Sequence, residues 1–165
     1  MTSRGLQPRS LFFALLALAA CQLDPAHDDA VNALGGEAQG VRAGPLHRPG
    51  QPCLTCHTSK GPAPDFAVAG TVFDVRGSTT GLQGVTVTMT DAAGEVRRVN
   101  TNSAGNFYLQ ASEWNPAFPM HVQLDYPGEK TKPMDTRIGR NGGCGECHQG
   151  QGSTTKMPGV YLREP

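Results

Sequence analysis

Cys53-Leu54-Thr55-Cys56-His57 recurs in type and spacing as Cys144-Gly145-Glu146-Cys147-His148, near the opposite end of the chain. Two cysteines separated by two residues, with a histidine directly after, form the pattern that attaches a c-type haem. The spacing has a chemical reason. Both thiols must reach the two vinyl groups of one porphyrin, and the next residue must offer an imidazole nitrogen to the iron. The pattern predicts two covalent haems c, held by Cys53, Cys56, Cys144 and Cys147, with His57 and His148 as proximal iron ligands. Other chemistries fit the four cysteines. They can form a four-thiolate zinc site or two local disulfides in an oxidising compartment. Neither needs a histidine after each pair.

The remaining composition says what must position these sites. With 165 residues the chain is long enough for one compact domain with appendages. Its 14 Lys+Arg balance 14 Asp+Glu and no basic stripe runs along any segment, so nucleic acid is not an expected partner. Hydrophobic residues make up 38% and aromatic ones 6%, while Gly (21) and Pro (13) are plentiful. Short strands joined by turns suit that mixture, with extended ends that covalent or metal staples would help to order.

The fifth cysteine belongs to the N-terminus. Arg4 and Arg9 precede the apolar run Leu11 to Leu18, as in a secretion signal over 1–20. The run is too short to cross a bilayer as a mature helix. Leu18-Ala19-Ala20-Cys21 resembles a bacterial lipobox, which implies cleavage before Cys21 and acylation of that residue. Several acyl chains anchor stably where one does not. Gln22, rather than Asp, follows the cysteine, which by the same resemblance favours the outer membrane, facing the periplasm or the exterior. An ordinary cleaved signal with a free thiol is the alternative. Residues 21–44 are polar and Ala/Gly-rich without sustained periodicity, and read as a flexible tether.

The first CxxCH segment spans 45–66. His47 lies in the Pro/Gly-rich loop just ahead of Cys53, and a histidine so placed resembles the distal ligand of multihaem cytochromes c. A surface position and ligation of the other haem are its other readings. From Phe66 the pattern changes. Residues 67–75 read as a strand, 77–84 as a loop, and Val85-Thr86-Val87-Thr88-Met89-Thr90 alternates with period two. Asp91 to Gly94 reads as a turn, Glu95 to Asn100 as a polar edge strand, and Ser103 to Asn106 as a second turn. Phe107 starts another strand, and Met120 to Tyr126 alternates once more. Short strands at regular spacing with Gly/Asn/Asp turns predict an all-β, small antiparallel β-sandwich over 67–126. His121 falls on the strand face opposite Met120, Val122 and Leu124, near the surface, and is a candidate distal ligand only if a haem lies on that face.

Gly70-Thr71-Val72, Leu82-Gln83-Gly84-Val85-Thr86-Val87, Asp91-Ala92-Ala93-Gly94 and Thr101 to Phe107 together resemble carboxypeptidase regulatory-like domains, a transthyretin-like (prealbumin-like) β-sandwich. In that family the sandwich is a non-catalytic accessory module, so the resemblance implies a fold and no active site. The arrangement of lipobox, CxxCH, sandwich and CxxCH also resembles small exported haem lipoproteins of environmental bacteria.

Residues 127–165 form the second CxxCH segment, expected to be irregular like the first. Gly139, Gly142, Gly143 and Gly145 allow backbone to approach a flat macrocycle closely. Met134 and Met157 are candidate thioether ligands to the second haem, and His/Met ligation would raise its potential.

The sequence thus predicts a lipid-anchored dihaem c-type cytochrome passing electrons to partner proteins at the outer membrane, a carrier and not an enzyme. No Ser/His/Asp set, paired carboxylates or phosphate loop supports hydrolytic chemistry. A rival reading is a non-haem surface lipoprotein that binds a partner, with its CxxC pairs closed as disulfides or holding zinc. A third is a haem enzyme or gas sensor with an open iron position.

Overall fold

The computed structural model describes residues 24–37, 40–149 and 157–163. The signal segment 1–20 and Cys21 lie outside the described residues. The chain divides into two units, 1–35 and 36–165.

In the first unit the expected tether contains a helix, α1 (Pro25–Ala33). The sequence reading missed it because its signal is local capping and not periodicity. The Asp24 side chain accepts from the His27 amide at 3.1 Å and Pro25 starts the first turn, a favoured N-terminus. No residue of α1 is buried.

The second unit is built of strands: β1 (Phe66–Val75), β2 (Thr86–Thr90), β3 (Val96–Asn100), β4 (Asn106–Gln110), β5 (His121–Asp125), β6 (Lys132–Pro133), β7 (Gly142–Gly143) and β8 (Val160–Arg163). Its helical pieces are a 3₁₀ turn at Cys53–Thr55 and one α-turn, α2 (Cys144–Cys147). The strands form two sheets. One has the order β4-β1-β7, with β8 also on β1; the other has the order β3-β2-β5-β6. The all-β expectation therefore holds, and β3 is the edge strand that its polar sequence indicated.

The apolar face of β2 is the one the sequence indicates, although Thr88 on the other face is buried as well. Val85, Val87 and Met89 are fully buried, and they join Val122 and Leu124 of β5 in one core with Val68 and Val72 of β1, Phe107, Trp114, Met120 and Leu162. Asp91 closes the β2–β3 turn. Its carboxylate accepts from the amides of Ala93, Glu95 and Ala117 at 2.8 to 3.0 Å, and these bonds, the Ala117 one first, hold its pKa below the ordinary carboxyl range.

β1 is different. Residues 68–73 are all buried, which a strand achieves only when both its faces are covered. Val68 and Val72 face the core. On the alternate positions, Thr71 Oγ1 accepts from the Gly50 amide at 2.8 Å, and Gly50 leaves its Cα against the Phe73 ring, where a Cβ would come within 2.9 Å. The segment before Cys53 thus covers the outer face of β1.

The segment after Tyr126 is less irregular than its composition suggests. It contributes β6 to one sheet and pairs β7 and β8 with β1 in parallel, at Val68–Ala69 and Val72–Val75 respectively. The strand arrangement is thus not purely antiparallel. Such two-residue pairings through glycine carry no hydrophobic alternation, so no sequence pattern announces them.

Candidate haem-binding site

Both CxxCH motifs sit against β1. The first makes the 3₁₀ turn, with the amides of Cys56 and His57 donating to the Cys53 carbonyl at 3.2 and 3.0 Å. The second makes α2, with the His148 amide donating to the Cys144 carbonyl at 2.9 Å. A helical turn brings both cysteines and the following histidine to one side of the backbone, as attachment of one porphyrin requires. The four thiols are free.

The two histidines are held in the same way. His57 Nδ1 lies 2.8 Å from the Pro64 carbonyl oxygen, and His148 Nδ1 lies 2.9 Å from the Pro158 carbonyl oxygen. A carbonyl only accepts, so each ring donates from Nδ1 and its neutral form keeps the lone pair on Nε2. This is the tautomer in which imidazole binds a metal through Nε2, with the other nitrogen fixed by a backbone oxygen. Each carbonyl comes from outside the motif. Pro64 precedes β1, and Pro158 precedes β8, whose pairing with β1 fixes it in place.

His57 is oriented further by stacking. Its ring lies 4.0 Å from Phe66 at an interplanar angle of 7°, and Phe66 stacks on Tyr108 at 4.6 Å and 12°. Phe66 opens β1 and Tyr108 lies on β4, so the antiparallel pairing of these strands sets the ring plane of a candidate iron ligand.

His47 is brought to His57, with ring centroids 5.8 Å apart at 76°. Its Nδ1 lies 3.0 Å from Glu37 Oε1, and Glu37 also accepts from Arg48 Nε at 3.0 Å. The Arg48 hydrogen bond first, and that of His47 after it, hold the Glu37 carboxyl below its ordinary range. With an ionised carboxylate as partner, His47 also donates from Nδ1 and presents Nε2. The loop is pinned from behind. Asn106 Nδ2 donates to the carbonyls of His47 at 2.9 Å and Pro45 at 3.3 Å, Asn102 Nδ2 donates to Pro45 at 2.6 Å, and Thr71 Oγ1 donates to Asn106 Oδ1 at 2.7 Å. Arg48 itself takes a left-handed conformation, φ +49°, unusual for a non-glycine residue and tolerated where surrounding bonds fix it.

The other candidate ligands separate. Met157 is 44% exposed, bridges to His148 and lines a cleft of about 640 Å³ together with Cys147, Glu146, Arg140, Pro52 and Thr55. Met134 packs on the hydrophobic core instead, its amide donating to the Val122 carbonyl at 2.9 Å. His121 is half-buried on β5 opposite Thr90, in the sheet to which β1 does not belong.

Burial pushes the Cys144 thiol up to about 12, with the neighbouring Cys53 as the next cause, and burial also raises Cys53. Both therefore stay protonated at neutral pH, unlike the activated thiolates of redox dithiols. No three His, Cys, Asp or Glu side chains gather at metal-binding distance among the described residues.

Against protein-family models, characterised proteins and solved structures, the chain finds no match. Among the described residues no helix is long and apolar enough to cross a membrane. The sequence reading did not find Glu37, Pro64, Asn106 and Pro158. Two of them act through a backbone carbonyl, for which no side-chain signal exists, and the sequence around Asn106 signals only a turn.

Proposed function

We propose that this chain is a dihaem c-type cytochrome, anchored at the outer membrane through acylated Cys21, that passes single electrons between partner proteins. One observation carries the reading. In two motifs far apart in sequence, the histidine after the CxxC pair spends Nδ1–H on a proline carbonyl and keeps Nε2 for iron. A histidine that merely follows a disulfide or a zinc-binding pair has no need of that arrangement.

Cys53 and Cys56 would hold one porphyrin, Cys144 and Cys147 the other, with His57 and His148 as proximal ligands. Bound haem supplies a one-electron couple at its iron. The chain's own residues set the orientation of that couple and its access to solvent. His47, at 5.8 Å from His57, stands at roughly the separation of two imidazoles whose nitrogens each lie about 2 Å from one metal, and is the distal ligand we assign to the first site. Met157 is the thioether nearest the second motif. The two sheets sharing one core support a carboxypeptidase regulatory-like β-sandwich as the scaffold.

Intact-protein mass measurement on material from a host with c-type maturation tests the assignment. Two covalent haem adducts are expected, falling to one in C53A/C56A and to one in C144A/C147A. An unmodified mass from a host that matures a control cytochrome would overturn it.

A further inference from the structure

The two motifs do not occupy opposite ends of the fold; they touch. Gly145, inside the second CxxC, has no room for a side chain, since a Cβ would fall 2.5 Å from the Gln51 carbonyl oxygen and 3.0 Å from Pro52 Cα. Those residues run directly into Cys53. Two further glycines seat the second motif on β1. A Cβ on Gly70 would meet Cys144 Cβ at 2.8 Å, and one on Gly142 would meet the Ala67 carbonyl oxygen at 2.2 Å. The first motif is fixed to the same strand by the Gly50–Thr71 hydrogen bond. Between them the cleft of about 640 Å³ takes its walls from both, Pro52 and Thr55 on one side and Glu146 and Cys147 on the other.

We infer that the two CxxCH motifs form a single haem pair, docked backbone to backbone, whose irons exchange electrons within the chain and titrate as one coupled unit. This rests on the cytochrome reading. Thioethers tie each porphyrin to its own motif, so motifs in van der Waals contact hold the two porphyrins close, and electron tunnelling decays steeply with edge-to-edge distance. The exchange balances internally. The iron held by His57 goes from ferrous to ferric as the iron held by His148 goes from ferric to ferrous, with no bond or proton moved. An added positive charge on one iron also disfavours oxidation of the other across a low-dielectric contact. The two reductions then belong to the pair and not to either site alone.

The chain therefore holds its two electrons on one coupled pair and releases them in successive one-electron steps, not from two independent sites. The test uses the full chain carrying both haems, reduced stepwise by dithionite under potential control, with low-temperature electron paramagnetic resonance at each step. In the coupled pair, each ferric iron relaxes the other. The ferric signal that survives half-reduction should then saturate at several-fold lower microwave power than in the fully oxidised chain. Unchanged saturation in a chain shown by mass to carry both haems would overturn the inference and leave the cytochrome reading standing. A chain without haem would defeat that reading instead. Gly145→Val, which drives a side chain into Gln51, should weaken the relaxation effect while both haems stay attached. Should that variant not fold, the wild-type comparison decides alone.

Discussion

Asn106 holds the loop that carries His47, and its removal isolates what the loop does. Asn106 is 8% exposed. In Asn106→Ala the His47 carbonyl loses its donor, the Pro45 carbonyl keeps only Asn102, and the buried Thr71 hydroxyl loses its acceptor. Each lost bond is worth about 1 kcal/mol net, and a buried hydroxyl left without a partner adds about 1–3 kcal/mol. The carbonyls are near the surface and can turn to water, and Thr71 still accepts from Gly50, so the sum is roughly 2–3 kcal/mol. That corresponds to about 30- to 150-fold in the balance between the docked and released loop. In the haem-loaded protein the release should open the distal position of the first haem. The assay is carbon monoxide binding to the reduced protein, followed by its absorbance, beside a urea titration. Asn106→Ala should bind carbon monoxide at one haem per chain where the parent does so weakly or not at all. Thr86→Val, which removes the surface bond from Thr86 to Asn100, should leave both readouts unchanged. A variant that loses stability but stays closed to carbon monoxide would refute the role given to His47.

Met89→Ala empties a fully buried position at the centre of β2 and should cost about 2–5 kcal/mol, read as a lower urea midpoint at unchanged slope. Phe66→Leu removes the face on which His57 stacks; haem content should hold, while the g-values of the first haem shift in electron paramagnetic resonance. Ending the chain after Met157 removes the Pro158 carbonyl that fixes His148 together with β8. The second haem should then show a changed ligand-field spectrum with the first unaltered, and an unchanged second haem would contradict the anchoring argument. Glu37 titrates below the ordinary carboxyl range, so its hold on His47 and Arg48 is complete above that range and is lost as pH falls through the lowered value. Opening of the first site should therefore appear on acidification below the usual carboxyl pKa, and Glu37→Gln should abolish that acid step.

The parts of the fold legible in the sequence are those with periodic burial. Val85, Val87 and Met89 alternate because β2 shows one face to the core, and the polar run before Asn100 marked its strand as an edge. The CxxCH motifs were legible for a different reason, since local covalent chemistry fixes their spacing whatever the fold. What the sequence could not convey is long-range placement. Nothing in Gly142-Gly143 indicates a parallel pairing with Val68 and Ala69, and nothing in Gly145 indicates that Gln51 lies over it. The separation of Met134 from Met157 is of the same kind: two methionines flank one motif, and only the chain path puts one in the core and the other at the cleft. The helix at Pro25–Ala33 leaves no hydrophobic pattern because none of its residues is buried.

Everything proposed for this chain depends on haem at both motifs. The most direct test is a pyridine haemochrome assay with a reduced-minus-oxidised absorbance spectrum, on protein made where c-type maturation operates. A c-type spectrum at about two haems per chain is expected. A colourless, folded protein would contradict it and leave the four thiols to zinc or disulfide chemistry.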